Sequence, residues 1–173
     1  MKDAKYWVNK LKLLHHPEGG FYKEIYRSAN TFIPAEIGEY RNYITSIYFL
    51  IEAGNVSHFH SIQQDELWFY HAGSPLSVYC INEVGNLELI KIGPNPEQGE
   101  VLQAMVPANR IFGSKSSGEF SLVSCVVAPG FDFADFELAE REQLKQQYPQ
   151  HAAIINELTY TLNLVVLSCV ISL

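Results

Sequence analysis

Two histidines and a carboxylate lie close together in the middle of the chain, and their side chains could bind a metal or move a proton. His58 and His60 are two residues apart, so on a β-strand both imidazoles would project from the same face. Glu66 opens the next apolar segment, and a hairpin would bring its carboxylate opposite the imidazoles. Together the three could hold Zn, Mn, Ni or Fe. They could instead work without a metal, with a neutral histidine as general base and Glu66 as the group that orients it.

Other side chains near this cluster could bind a ligand. Trp68 and Tyr70 share the strand parity of the carboxylate, so we expect them to face inward and to contact a ring, such as a sugar or a nucleobase. Arg27 could bind a phosphate or a carboxylate. Glu18 and His71 are further candidates for ligand contacts. The alternatives are ordinary core packing for the two aromatic residues and a surface salt bridge for Arg27.

The hydropathy pattern predicts the elements that must position these residues. Apolar residues recur every three or four positions behind Asp3, which predicts an amphipathic helix over about residues 4–15. Short apolar or alternating segments separated by turns predict an all-β sandwich or barrel over about residues 21–128. Charged and amide-rich segments predict C-terminal helices over about residues 137–158. The apolar tail Leu162–Leu173 favours a strand that packs on the body of the protein or on a partner chain.

The composition limits the class of protein. The chain has 173 residues, of which 47% are hydrophobic, 13% aromatic and 18% charged, and this excludes intrinsic disorder. We expect one domain over residues 1–173, long enough to enclose a pocket. The net charge of −7 and the lack of a Lys/Arg cluster disfavour a nucleic-acid polymer as partner. Small molecules or other copies of the chain are the expected partners.

The termini and the cysteines bear on the compartment. The first ten residues contain no apolar stretch typical of a secretory signal, and the twelve-residue apolar tail is shorter than the roughly 20 residues of a membrane-spanning helix. Cys80, Cys125 and Cys169 lie in apolar segments without CxxC spacing, which predicts buried, reduced thiols. We expect a cytoplasmic protein without a membrane partner.

The same central segment resembles a known motif. A glycine, the HxH pair, a glutamate and a second glycine look like the first motif of the cupin superfamily, and they stand here at Gly54, His58, His60, Glu66 and Gly73. Longer segments are similar to one family of unsettled activity in that superfamily. They include HPEGGFY at 16–22, DELW at 65–68, HAG at 71–73 and, most specifically, APGFDFADFEL at 128–138.

The resemblance implies a fold and an assembly, but no single activity. The implied fold is a double-stranded β-helix, a jelly roll of two antiparallel sheets with short terminal helices, and the implied assembly is a homodimer. Sugar-nucleotide epimerases of the dTDP-rhamnose pathway, sugar isomerases and metal oxygenases all use this barrel. The fold therefore does not choose among them.

The chain departs from the superfamily pattern at the second motif. That motif reads Pro-x-Gly-x-x-His and supplies the last metal ligand. Aligned on Pro107, the glycine position is Asn109 and the histidine position is Phe112. Phenylalanine cannot bind a metal, so at most three matched ligands remain, namely His58, His60 and Glu66.

Three functions stay open on the sequence alone. One is an epimerase- or isomerase-like enzyme that acts on a sugar or sugar-nucleotide, with His58 or His60 as base and Glu66 as orienting group. Another is a metal-dependent isomerase or dioxygenase that uses the same three residues as ligands. The last is a non-catalytic protein whose pocket senses or stores a small ligand, and the phenylalanine at position 112 favours it over the metal enzyme.

Overall fold

Two antiparallel sheets face each other and form the body of the protein. The computed structural model describes residues 2–160. The larger sheet contains, in spatial order, β1 (Leu14–His15), β2 (Phe21–Arg27), β5 (Thr45–Glu52), β12 (Phe120–Ala128), β7 (Asp65–Gly73) and β10 (Gln103–Val106). The smaller sheet contains β13 (Glu137–Leu138), β6 (Val56–Ser61), β11 (Ile111–Ser116), β8 (Leu76–Ile81) and β9 (Leu87–Ile92). A separate pair joins β3 (Thr31–Phe32) to β4 (Arg41–Asn42). This architecture confirms the predicted all-β jelly roll.

The core lies between the two sheets because their inward faces carry the large apolar side chains. Phe49 and Trp68 from the larger sheet and Phe112 from the smaller sheet are each 1% exposed. The Trp68 ring meets the Phe49 and Phe112 rings edge to face, at centroid distances of 6.0 and 6.3 Å. Such packing suits the quadrupoles of aromatic rings.

Within residues 2–160, three α-helices pack on the outward faces of the sheets. Helix α1 (Ala4–Leu11) packs its apolar side over Leu50 and Leu122, which alternate with inward-facing residues along β5 and β12. Helices α2 (Arg141–Gln147) and α3 (Ala152–Glu157) form a second cluster outside the smaller sheet. Its buried members are Phe59, Ile81, Leu144, Ile155 and Leu158. The helices therefore bury apolar residues that an open sandwich would expose.

Two element boundaries differ from the sequence prediction. Asp3 caps α1 as expected, accepting a hydrogen bond from the Tyr6 amide at 2.7 Å, but the helix ends at Leu11 rather than near residue 15. Lys12 adopts a left-handed conformation, and the following β1 pairs with β2 instead of continuing the helix. At the other end, Leu138 pairs with His60 as part of β13, so the helical region begins at Arg141. In both places strand pairing competes successfully with helical periodicity.

The structure also bears on the predicted cysteines, the apolar tail and membrane-spanning segments. Cys80 and Cys125 are buried free thiols, as predicted, while Cys169 and the tail Leu162–Leu173 lie outside the described residues. Within residues 2–160, no helix is long and apolar enough to cross a lipid bilayer.

Candidate functional site

A cavity of about 320 Å³ opens between the sheets at one end of the barrel. Both sheets, the loop before β2 and the segment after β12 contribute to its wall. Its lining residues are His16, Glu18, Tyr22, Glu24, Arg27, Thr45, Ile47, Phe49, His60, Ile62, Glu66, Cys125, Val127, Phe131, Phe133 and Phe136. The volume lies at the lower end of the range of small-molecule sites, which suits a ligand built on one ring.

A β-bulge in β6 directs the side chains of His58 and His60 to different sides of the strand, although their spacing predicts one shared face. Against β11, Phe112 faces His60 and Ser114 faces Ser57, so β6 holds one extra residue between these two points. The extra residue reverses the alternation of side chains along the strand. His60 lines the cavity, whereas His58 lines a separate groove, where its ring stacks on Tyr160 at 3.6 Å. The prediction that both imidazoles share one face is therefore wrong.

The residue that contacts His60 is Glu18, not Glu66. The Nε2 atom of His60 lies 3.1 Å from Glu18 Oε2, and the Ser57 hydroxyl donates to Glu18 Oε1 at 2.9 Å. The Nδ1 atom of His60 lies 2.7 Å from the backbone oxygen of His58. A carbonyl oxygen only accepts, so this hydrogen bond holds a proton on Nδ1 and leaves Nε2 directed at the carboxyl.

Burial shifts the pKa of both His60 and Glu18. Desolvation lowers the pKa of His60 to about 4, although its hydrogen bond to the His58 backbone acts in the opposite direction. Desolvation also raises the pKa of Glu18, and the charge of His16 and the hydrogen bond from Ser57 only partly offset that rise. Both shifts disfavour the charged form of the side chain concerned, because burial removes the water that would solvate the charge.

Glu66 supplies a second buried carboxyl to the same cavity. Desolvation and the charge of Glu18 raise its pKa to about 8, while the neighbouring Cys125 thiol and Trp68 indole act in the opposite direction. A pKa of about 8 favours the protonated form at neutral pH, and in that form the carboxyl can donate a hydrogen bond. No hydrogen bond or ion pair joins it to His58 or His60 within the part of the chain that the structure describes.

The loop between β1 and β2 places Glu18. The His16 amide donates to the Gly20 carbonyl at 3.1 Å, and the Gly19 amide donates back to the His16 carbonyl at 3.0 Å. Gly19 has a φ of +110°, and a Cβ atom there would lie 2.0 Å from the Val56 carbonyl oxygen. Only glycine fits this close approach to β6. The HPEGG segment is therefore the element that delivers the carboxyl to His60.

His16 belongs to the same cluster, although its residue type did not predict this. Its Nδ1 atom accepts from the Glu18 amide at 3.3 Å and lies 3.7 Å from the Glu18 carboxyl. Burial lowers its pKa, with the charges of Glu18 and His60 acting in opposite directions. The ring packs edge to face on Tyr22, with the centroids 4.6 Å apart. Its position next to the glycine-rich turn is the sequence feature that could have identified it as part of the site.

The aromatic wall is built from residues other than those expected. Trp68 does face inward, but it is 1% exposed within the core, and the Tyr70 hydroxyl donates to the Gly73 carbonyl at 2.7 Å. Both rings pack in or against the core, and neither lines the cavity. Phenylalanines of the APGFDFADFEL segment line the cavity instead, namely Phe131, Phe133 and Phe136. Tyr22 and Phe49 line it as well. In the sequence this segment carries only a family resemblance, and its role in the wall was not predicted.

A buried ion pair anchors this phenylalanine segment. Arg41 donates to both carboxylate oxygens of Asp135, at 2.7 and 2.5 Å, and Gln64 donates to the same carboxylate at 2.5 Å. Desolvation alone would raise the pKa of Asp135, but these hydrogen bonds lower it below its ordinary value. The segment is also tied to β5, because the Phe131 amide donates to the Thr45 hydroxyl at 2.9 Å.

The remaining predicted residues divide between the cavity and the surface. Arg27 lines the cavity, where its guanidinium is paired with Glu24. His71 is exposed and packs against Tyr48 at 5.7 Å, away from the lining. The structure thus brings four of the predicted residues to the cavity and leaves four outside its lining. Those inside are Glu18, Arg27, His60 and Glu66, and those outside are His58, Trp68, Tyr70 and His71.

The side chains do not fit the metal site that the resemblance implies. His58 points into the other groove, and the Phe112 ring packs 4.2 Å from the His60 ring, where the second motif would supply a ligand. No cluster of three His, Cys, Asp or Glu side chains within residues 2–160 has a geometry suited to a metal ion. The arrangement suits proton transfer better than metal ligation.

Two antiparallel sheets around an aromatic cavity with a buried acid–base cluster define a cupin barrel. Residues 5–139 match the family described as "Cupin superfamily (DUF985)", and the chain belongs to that family. This confirms the predicted superfamily.

Several known proteins resemble the chain. The uncharacterized protein YML079W of Saccharomyces cerevisiae is 29% identical over 150 residues, which cover 78% of this chain and 74% of the yeast protein. The crystal structure of protein SO0799 from Shewanella oneidensis is 43% identical with a TM-score of 0.86, covering 92% of this chain and 99% of that one. A hypothetical protein from Leishmania major is 39% identical with the same TM-score and coverage. Oxalate decarboxylase from Bacillus subtilis is 15% identical with a TM-score of 0.54, and this likeness shows the fold alone.

Proposed function

We propose that the protein is a small-molecule cupin enzyme that moves a proton to and from carbon, as epimerases and isomerases do. The expected substrate is ring-shaped, a sugar or a sugar-nucleotide. The observation that carries the proposal is the Glu18–His60 pair, whose Oε2 and Nε2 atoms lie 3.1 Å apart inside a cavity that also contains the buried carboxyl of Glu66. Perturbed acid–base groups gathered in one cleft are typical of catalytic sites.

Each group has a defined role in this proposal. The Glu18–His60 pair, in its deprotonated form, accepts the proton from the carbon next to a substrate carbonyl. Protonated Glu66 donates to the carbonyl oxygen, so that the enolate charge is neutralised as it forms. Return of a proton to carbon then gives the isomer and restores both groups. Since Glu66 must be protonated, we expect kcat/KM to fall as the pH rises above about 8.

Hydrogen exchange at carbon tests this proposal without knowledge of the product. Candidate aldoses, ketoses and sugar-nucleotides are incubated with the protein in D₂O, and the loss of the C–H signal next to the carbonyl is followed by NMR. We expect exchange with at least one class and a loss of about 100-fold or more in His60→Gln, the usual size of a general-base contribution.

His151→Gln serves as the control, because His151 contacts the Gly85 carbonyl far from the cavity lining. An unchanged exchange rate in His60→Gln would overturn the assigned base. Tight binding of a ligand without any exchange would favour the second candidate function, a non-catalytic binding protein. Phe112 supports that alternative over a metal enzyme, since its ring takes the position of a metal ligand.

We also propose that the chain acts as a homodimer in the cytoplasm. Support for a dimer comes from the low share of charged residues, 18%, and from large apolar side chains that remain exposed. Support for the compartment comes from Cys80 and Cys125, which are reduced and buried.

A further inference from the structure

A second β-bulge brings a paired arginine and glutamate to the cavity. Glu24 and Arg27 are three residues apart on β2, so on a regular strand they would face opposite sides. Between Glu24 and Tyr26 the pairing with β5 shifts by one residue, which places Ile25 in a bulge. Both side chains consequently line the cavity, and they lie at its solvent edge because they are 42% and 36% exposed.

The guanidinium of Arg27 has few free hydrogen-bond donors. Its Nε and Nη2 atoms donate to the two carboxylate oxygens of Glu24 at 3.1 and 2.7 Å. Its Nη1 atom donates to Asn42 Oδ1 at 2.8 Å and to the Phe131 carbonyl at 3.1 Å. A guanidinium carries five N–H groups, so these four hydrogen bonds leave one.

This pairing removes the attraction that the cavity would have for an anion. Arg27 is the one Lys or Arg among the lining residues that the structure describes. An incoming phosphate or carboxylate would have to displace Glu24, or accept the single remaining N–H beside a like charge. The net charge of −7 acts in the same direction. The wall beyond the ion pair is aromatic, with Phe131 and Phe133 packed edge to face at 5.1 Å.

We propose that the cavity selects an uncharged, ring-shaped molecule over its anionic counterpart, and that Glu24 determines this specificity by neutralising Arg27. The inference deepens the proposed function, on which it rests for the identity of the substrate site. Of the sugar and the sugar-nucleotide considered above, it favours the uncharged sugar. It takes the salt-bridge alternative for Arg27 in place of the expectation that this residue binds a phosphate or carboxylate of the ligand.

Two probes of equal size isolate the effect of charge. Benzamide is neutral, benzoate is anionic, and both are planar six-membered rings small enough for the cavity. Dissociation constants are measured at pH 7 by ligand-observed NMR with the full chain. We expect wild-type protein to prefer benzamide by about tenfold, the ratio that one charge contact near a protein surface supplies. In Glu24→Gln the guanidinium regains an available charge, so we expect benzoate to bind at least as tightly as benzamide.

Glu142→Gln is the matched control, because Glu142 forms an exposed ion pair with Lys145 and the substitution changes the net charge equally. It should keep the wild-type preference, which separates the local pair from the overall charge. Glu24→Gln combined with Arg27→Met should lose the gained benzoate affinity. Equal affinities in wild type, an unchanged preference in Glu24→Gln, or no binding of either probe would each overturn the inference. The probes measure binding alone, so a failed exchange experiment with intact probe selectivity contradicts only the proposed function.

Discussion

His58 and His60 show how a single backbone contact sets the chemistry of a side chain. Both rings place Nδ1 against a backbone oxygen, that of Glu18 at 2.6 Å for His58 and that of His58 at 2.7 Å for His60. Only His60 then presents Nε2 to a buried carboxyl. The other ring stacks on Tyr160 in the separate groove. Identical residue types two positions apart therefore have different capacities for proton transfer.

The raised pKa of Glu66 predicts a pH-dependent stability. Below its ordinary pKa of 4.5 the carboxyl is protonated in both the folded and the unfolded state. Between pH 4.5 and about 8 it stays protonated only when folded, so unfolding releases a proton and rising pH destabilises the protein. This contribution is complete below pH 4.5 and is lost as the pH rises through about 8.

Glu66→Gln removes this titration while preserving shape. We expect its free energy of unfolding, measured with denaturant from pH 5 to 8, to decline less steeply than that of the wild type, by up to about 1.4 kcal/mol per pH unit. Glu142→Gln, which alters an exposed carboxyl, should retain the wild-type slope. Equal slopes for wild type and Glu66→Gln would show that this carboxyl is ionised in the folded protein at neutral pH.

At the scale of the elements, irregular backbone positions build the cavity. The bulge in β6 directs His60 inward, the bulge in β2 brings Glu24 beside Arg27, and the turn at Gly19 delivers Glu18. Each irregularity is held by regular pairing on both sides, so the strands act as a rigid frame. The phenylalanine segment closes the site because buried polar groups anchor it to the frame.

The turn before β2 offers a test of this view. Gly19→Ala places a methyl group against the Val56 carbonyl and adds the strain of a positive φ. We expect a loss of about 2–4 kcal/mol in the free energy of unfolding, from overpacking and backbone strain together. We also expect the His60 imidazole NMR signals to shift, because Glu18 moves away from Nε2.

Gly38→Ala provides the matched control. Gly38 has a φ of +78°, yet no atom lies within 4 Å of the position of its Cβ. This substitution should cost only the left-handed strain, about 1–2 kcal/mol, and leave the His60 signals in place. Similar losses for both variants would mean that the close approach to β6 adds nothing to the stability of the turn.

At the scale of the whole molecule, exposed apolar residues concentrate in one stretch of chain. Six large hydrophobic side chains exposed to solvent fall between residues 25 and 43, namely Ile25, Tyr26, Phe32, Ile33, Tyr40 and Tyr43. We therefore expect this stretch to form the interface of the proposed homodimer.

Sedimentation velocity tests the dimer directly. We expect wild-type protein to sediment at twice the chain mass of 19.6 kDa. A double variant, Ile33→Asp with Tyr43→Asp, places charges on two half-exposed residues of this stretch and should shift the protein toward the monomer. Val84→Asp is the control, since Val84 is 79% exposed in a turn outside the stretch. A wild-type monomer at micromolar concentration would exclude the homodimer.

The sequence alone predicts the architecture and part of the site. Period-two apolar segments indicate the jelly roll because alternation follows directly from strand geometry, and Asp3 marks the start of α1 by its capping chemistry. Residue type and spacing single out His60 and Glu66, and both side chains line the cavity. The partnership of His60 with Glu18 is not visible in this way, since 42 positions separate them and no local rule links a turn to a distant strand.

What the sequence by itself determined is the fold and the residue types that could carry acid–base chemistry, because composition and periodicity are local properties. Only the tertiary structure decided which of those residues meet. One extra residue in β6 turns His58 away from the cavity, and a glycine turn brings Glu18 in its place. Each residue inserted into a strand reverses the direction of the side chains that follow it. The hydropathy pattern of a short strand changes too little to reveal such an insertion. The chemistry of the cavity is consequently set by strand register.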